Sequence, residues 1–525
     1  MKKRIGLCIF LSLLFSCAEK NGKKTIPAIK IPVSDLSGKE LAEIHCARCH
    51  AFVSPSYLSK TIWKYDVLPA MGNRMGIYNG NTQPDSIFGP PQNRTVIQNA
   101  NIFPEKPMLA KEDWMKLVDY YIENAQDTIL PPIHDHKINI GLKHFKYKEP
   151  IYNLRPPLTS FVKILPKNRG FAFGDGKNRK NILTQLTPEL NLEYNLVLDD
   201  TPISYYKKSD TLLVTTIGRN LFPNNLSHGN IHKLVLGKNE NRLTSSGILI
   251  PNLQRPVFTT YGDLNNDGLQ DVVACEFGDL TGKLVWYKNQ GSDSYSSNIL
   301  NTEPGAIHAI IKDGNNDGLN DIFVLMSQGN EGVFYYENQG NDTFKEKQLL
   351  SFLPLYGSQY MELADFNNDG YEDIIYVCGD NADKTPILKE YHGVYIFLND
   401  GENNYEQAYF YQQNGAYKAM PRDYDLDGDL DIATISYFPD YKNYPEESFV
   451  YLENKGNFIF DAYSFPESTK GRWIVMDAED MDGDGDIDLA LGSNVNFLAK
   501  DDTTGLSKKW LKESPSIIIL ENTIK

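Results

Sequence analysis

Cysteine is scarce in this chain, with six residues in 525. That is too few to staple a chain of this length as a disulfide framework. Long apolar runs are also missing. Ile5 to Phe15 is one short run, less than a bilayer requires, and no second one follows. Positive charge is in deficit: 52 Lys and Arg stand against 68 Asp and Glu, a formal net charge of -16. Such an excess of acid argues against nucleic acid as a partner. No nucleophile–base motif and no Gly-rich phosphate loop stands out. The chain does have length enough for two or more domains. Aromatics make up 12%, with 39 Gly and 28 Pro, a balance that favours strands and turns.

Lys2, Lys3 and Arg4 precede the short apolar run, which ends in Leu14-Phe15-Ser16-Cys17. This pattern resembles a bacterial lipoprotein signal, in which the cysteine is acylated. The resemblance implies a signal segment over 1–17 and lipidation at Cys17. It places the protein in the cell envelope, anchored to the outer membrane and facing the periplasm or the cell surface. Residues 18–36 are expected as a tether. Cys275 and Cys378 lie on apolar runs of different repeats and read as buried free thiols.

Cys46-Ala47-Arg48-Cys49-His50 is C-x-x-C-H. Two thiols one helical turn apart can add to two haem vinyl groups, and the adjacent histidine then meets the iron. A zinc ribbon needs a second cysteine pair, which is absent. A thioredoxin-like motif needs a βαβ pattern, also absent. Ser37 and Glu40 offer a capping box for a helix ahead of the motif. Trp114, Leu117, Val118, Tyr121 and Ile122 mark a second helix by their spacing. Together these features resemble a class I c-type cytochrome over residues 37–126. The resemblance implies a small all-α domain with one covalent haem c on Cys46, Cys49 and His50. It also implies a methionine as sixth ligand: Met71 is preferred, with Met75 and Met108 as alternatives.

Proline-punctuated residues 127–157 are expected as a linker. Beyond them one pattern occurs five times, D-x-[DN]-x-D-G-x-x-D. Positions 1, 3, 5, 7 and 9 are Asp263, Asn265, Asp267, Leu269 and Asp271 in the first copy. They are Asp313, Asn315, Asp317, Leu319 and Asp321 in the second, and Asp365, Asn367, Asp369, Tyr371 and Asp373 in the third. The fourth has Asp423, Asp425, Asp427, Asp429 and Asp431, and the fifth Asp480, Asp482, Asp484, Asp486 and Asp488. Carboxylates, amides and a position-7 carbonyl at this spacing can wrap a hard cation in oxygen, and the glycine permits the turn. An acidic hairpin turn without metal is the plainer reading of any one copy, and five copies in register argue against it. No glutamate stands at position 12 and no helix follows. β-rich runs follow instead, such as Val272-Val273-Ala274.

Each unit continues into a strand that ends in asparagine, as in Leu284 to Asn289 and Val450 to Asn454. This resembles the FG-GAP/VCBS blade of integrin-like propellers. The resemblance is specific from 250 onward and weaker over 158–249. It implies an all-β propeller over 158–525, with seven blades and up to five Ca²⁺. It also implies that the loops opposite the calcium loops converge at the channel mouth. Glu331, Asp380, His308 and His392 are the pocket candidates there, with Arg255, Gln359 and Lys418 nearby. Two functions follow as expectations. One is an electron-transfer protein whose propeller binds or oxidises a substrate in the manner of a dehydrogenase, passing electrons to its own haem and on to an envelope partner. The other is a non-catalytic surface protein that grips a glycan or a protein.

Overall fold

The computed structural model describes residues 31–78, 91–134, 136–177, 180–208, 211–219, 221–236, 243–380, 387–496 and 502–524. Cys17 and the rest of the signal segment lie outside them.

Seven β-sheets are arranged as the blades of a propeller. Blades 1 to 5 are each four strands in sequence order, over 159–198, 202–253, 256–301, 306–351 and 358–412. Blades 6 and 7 occupy 416–464 and 473–522, and each takes a further strand from far upstream. Phe145–Lys148 pairs antiparallel with the last strand of the chain, Phe145 opposite Asn522, and so completes blade 7. Ile138–Ile140 adds to blade 6 in parallel, Ile138 opposite Ala462. Part of the expected linker over 127–157 is therefore propeller. Radial repetition leaves each blade only short edges, and the N-terminal strands complete the outer side of the last two blades.

The second strand of each later blade is buried along its whole length, as in Asp271–Glu276, Asp321–Met326 and Asp373–Cys378. Both of its faces meet neighbouring blades. That is why these strands read as unbroken apolar runs rather than alternating ones. Cys275 and Cys378 are free and buried there.

The described residues between 38 and 124 form helices joined by turns. Gly38–Cys46 starts at Ser37 with the expected capping box. Trp63–Val67 and Leu68–Arg74 follow one another, then Pro91–Ala100 and Lys111–Asn124. The first and last of these helices cross closely at Gly38. A Cβ built there would lie 2.1 Å from the Lys116 carbonyl oxygen and 2.8 Å from Tyr120 Cβ. Gly38→Ala is expected to cost about 1–3 kcal/mol as an overpacked contact. A lowered unfolding midpoint of the helical segment would register it.

The segment expected as a tether is partly docked. The Ser34 amide donates to Asp113 Oδ2 at 2.9 Å, and Lys116 Nζ donates to the Ser34 carbonyl at 2.7 Å. The helical segment sits on the propeller at several points, one of them the Tyr57 ring, 6.0 Å between centroids from Tyr391 of blade 5. Leu355, between blades 4 and 5, and Ile387 of blade 5 pack against its core, Leu280 of blade 3 packs near Ile97 and Phe103, and the Asn225 amide of blade 2 donates to Asn93 Oδ1 at 3.3 Å.

Candidate functional site

Each of the five acidic loops joins the first strand of its blade to the second. Asp263 shows the local logic: its carboxylate accepts from the amides of Asn265, Asp267 and Gly268 at 3.3, 3.3 and 2.8 Å. The chain is thereby curled around the position-1 acid. Curling requires left-handed backbone at position 4 and at the glycine, as at Asn266 (φ 55°) and Gly268 (φ 80°). Leu426 takes the same position-4 conformation at φ 57° without the side-chain help that asparagine has.

Positions 1, 3 and 5 converge. One carboxylate oxygen from each of Asp423, Asp425 and Asp427 lies within 4.8 Å of the others, as do those of Asp480, Asp482 and Asp484. Asn265 Oδ1, Asp429 Oδ1 and Asp486 Oδ2 are buried and have no hydrogen-bond donor among the described residues. Burial and neighbouring acids push Asp425 up to about 6 and Asp486 up to about 7. Such a donor set fits a hard divalent cation.

Position 9 has a second task that its sequence did not reveal. Asp271 accepts from Asn289 N at 2.7 Å and Leu264 N at 3.1 Å. Asp431 accepts from Asn454 N at 2.7 Å, Tyr424 N at 3.2 Å and the Tyr451 hydroxyl at 2.7 Å. Asp321, Asp373 and Asp488 repeat the arrangement on Asn338, Asn399 and Asn522. The strand-ending asparagine that marks each repeat is thus the partner of the loop's last acid. It also donates through its own amide to the residue before that acid, as Asn289 Nδ2 does to Gln270 O at 3.0 Å.

On the opposite face, a cavity of about 1820 Å³ spans the helical segment and the propeller. One wall holds Cys46, Cys49 and His50 with Val53, Leu58, Trp63, Leu68 and Phe103. His50 Nδ1 lies 2.8 Å from the Ala51 carbonyl. A carbonyl only accepts, so in the neutral ring the proton is on Nδ1 and the lone pair on Nε2. Cys46 and Cys49 are both free thiols. Met71, Met75 and Met108 all line the same cavity, so it does not separate the three candidates.

The other wall is the channel mouth, and inner-strand side chains build it. His308 lies between Phe258 and Tyr360, with ring centroids 4.1 and 4.7 Å away. Burial, with Lys418 nearby, pushes it down to about 3, so it is neutral. Lys418 Nζ sits 4.7 Å from the Tyr360 ring centroid and donates to Met476 O at 2.8 Å. Lys163 of the same wall pairs with Asp477 at 3.0 Å, and beyond the cavity lining Arg422 pairs with Glu362 at 2.6 Å.

Among the pocket candidates, His308, Glu331 and Asp380 line this cavity and His392 does not. His392 is fully buried behind the loop, with its amide on Lys389 O at 3.2 Å. Glu331 is 2% exposed and already engaged: Oε2 accepts from Ser358 N at 3.2 Å and Ser358 Oγ at 2.8 Å. Burial lifts it to about 7. Lys163, Tyr360, Glu362, Arg422 and Asp477 escaped the sequence reading. Alternation along each first strand carried a signal for them, but which blade faces which depends on ring closure.

A family profile described as FG-GAP-like repeat matches residues 263–324 and 313–376. The stretch from Asp263 to Tyr376 thus carries FG-GAP-like repeats. A T-cell immunomodulatory protein homolog of Plasmodium falciparum is 27% identical over 235 residues, 41% of this chain and 31% of that protein. The chain thus spans about a third of that relative's length. Among solved structures, the N-terminal domain of Nup159 aligns with a TM-score of 0.40 at 12% identity, over 73% of this chain and 98% of that one. A chain of the S. cerevisiae assembly of Dbp5 with Nup159, Gle1, IP6 and ADP aligns with a TM-score of 0.40 at 11% identity, over 73% and 97%.

Proposed function

We propose that this is an exported, lipid-anchored electron-transfer protein, in which a c-type haem domain sits on the mouth of a calcium-bound FG-GAP propeller. One observation carries the reading. The cavity that Cys46, Cys49 and His50 line is the same cavity that His308, Tyr360 and Lys418 line. Its volume exceeds the roughly 300–1,000 Å³ of an ordinary small-molecule site, so it has room for a macrocycle and a second ligand.

Cys46 and Cys49 would hold the haem by thioether bonds. His50 would ligate through Nε2, its ring fixed by the Ala51 carbonyl. Met71 remains the preferred sixth ligand. The haem, when bound, supplies one-electron transfer at a potential that its axial ligands and surroundings set. The propeller wall supplies recognition. Lys418 and the aromatic pair Phe258 and Tyr360 suit a small polar ligand of the sugar, alcohol or aldehyde class. Neutral His308 can accept or donate one hydrogen bond. Electrons would leave to a carrier in the envelope.

One observation favours a binding role without catalysis. Glu331, the best-placed acid, is spent on Ser358, whose Oγ also meets the Tyr376 hydroxyl at 2.6 Å. The two readings part on one experiment. A panel of sugars, alcohols and aldehydes is added to oxidised protein while the visible spectrum is followed, and binding is measured by calorimetry. Under the oxidoreductase reading, one class reduces the haem, and Lys418→Ala or His308→Ala slows this at least tenfold, or about 1.4 kcal/mol, with the resting spectrum unchanged. Heat of binding with no reduction leaves the binding role. Neither heat nor reduction removes the cavity from the function.

A further inference from the structure

The segment that leaves the helices carries two histidines, His134 and His136, just before the strand Ile138–Ile140 on blade 6. The turn Pro445–Ser448 of that blade brings Glu447 against them. The side chains of His134 and Glu447 are 1% and 0% exposed, and His136 keeps 25%. Nδ1 of His134 abuts Oε1 of Glu447, and Nε2 of His136 lies 3.9 Å from the same oxygen. One ligand atom from each of the three falls within 4.8 Å of the others.

The rings are held in place. His134 stacks on Tyr444 with centroids 4.6 Å apart and planes 9° apart, and His136 packs on Tyr411 at 4.4 Å. Asn414 serves the outer side. Its backbone N–H and its side-chain amide both reach Glu447 Oε2 at 3.2 Å, and Nδ2 also lies 3.2 Å from His134 Nε2. Glu447 Oε2 is therefore satisfied. Glu447 Oε1 and His134 Nδ1 are buried, are turned toward one another and have only each other as polar partner among the described residues.

We propose that His134, His136 and Glu447 bind a divalent transition metal of the zinc class. Two imidazoles, a carboxylate and one open position form a ligand set that Zn²⁺ accepts, whereas Ca²⁺ selects oxygen. A cation on Nδ1 places the imidazole proton on Nε2. There Asn414 Oδ1, which has no partner among the described residues, can accept it once the amide turns, and the Asn414 backbone N–H alone then keeps Glu447 Oε2. The site lies apart from the five calcium loops and depends on neither the haem nor the ligand reading. It ties the segment that follows the helices to blade 6. The metal would thus fix where the helical segment stands over the channel mouth.

The test uses the full chain, stripped with a chelator and returned to calcium. Co²⁺ is then titrated as a spectroscopic probe, with Zn²⁺ as competitor. A Cys46→Ser/Cys49→Ser background removes thiolate ligands. The expected result is one equivalent of Co²⁺ with the absorption of a nitrogen-ligated, low-coordinate ion, displaced by Zn²⁺. His136→Ala, at the partly exposed ligand, and Glu447→Gln should each abolish it. Asn414→Ala, which removes only the orienting amide, should weaken it about 10–100-fold. No such spectrum in the parent chain, or an unchanged one in His136→Ala, overturns the proposal and leaves the three side chains as a buried ion pair.

Discussion

Asp431→Ala should lower the unfolding midpoint whether or not calcium is present, while Asp427→Ala should lower it only when calcium is present. The two acids belong to one loop but carry different loads. Asp431 is fully buried and accepts from Asn454 N, Tyr424 N and the Tyr451 hydroxyl. Removing it strands three donors, each worth about 1–3 kcal/mol when left unmade. The expected cost is about 3–5 kcal/mol. Asp427 is exposed, and its Oδ1 accepts only from Asp429 N, at 3.1 Å. Its loss should matter through the cation alone, at about 2.7 kcal/mol for a site kept at 100-fold saturation.

If the loops hold calcium as proposed, chelation of the parent protein should shift the midpoint by more than either substitution, since it would empty every loop at once. In chelator, stability should also fall as pH rises from about 4 to 7. The sign follows from Asp425, Asp431, Asp486 and Asp488, which burial and like charge push up to about 6, 7, 7 and 6. Their folded forms hold protons that the unfolded chain releases earlier, so each opposes folding once it must ionise. Calcium should remove the slope. Calorimetric scans in calcium and in chelator, across pH, check all of this. A parent midpoint indifferent to chelator would sink the calcium reading, and equal behaviour of the two variants would sink the clamp role of position 9.

The second large effect concerns the haem. Cys46→Ser/Cys49→Ser should abolish haem that survives denaturation, seen as loss of the pyridine haemochrome band and of haem staining on a denaturing gel. Either single change should leave one thioether and a shifted band. The propeller should still fold, because the apolar core around Leu41, Trp63, Trp114 and Tyr121 is distinct from the blade cores. His50→Ala should keep the covalent haem and change its visible spectrum, because attachment and ligation rest on different atoms. A colourless parent protein from a host that matures c-type cytochromes would end the haem reading and leave Cys46 and Cys49 as ordinary thiols.

Much of this molecule could be read along the chain, because its patterns are local. The turn at Asp263 to Asp271 closes through its own side chains on its own backbone, so spacing alone reveals it. The blade count follows from the repeat length carried back over 158–249, where the loop pattern itself is missing. The capping box at Ser37 and Glu40 and the C-x-x-C-H run depend on neighbours within one helical turn. Other features required the ring to close. Phe145–Lys148 completes blade 7 only because the last strand of the chain comes back beside it. His392 lies near the pocket in sequence yet points away from it, since a loop's side chains are aimed by packing and not by spacing. His308 shares a cavity with Cys46 because blade and helix meet across the channel mouth. His134 and Glu447 were unreadable as a pair, being separated by most of the propeller. The chain by itself determined the repeating turns, the blades and the C-x-x-C-H run, which short-range hydrogen bonding and periodicity dictate. Tertiary structure alone decided what those parts face, because long-range packing and ring closure bring distant residues to one wall.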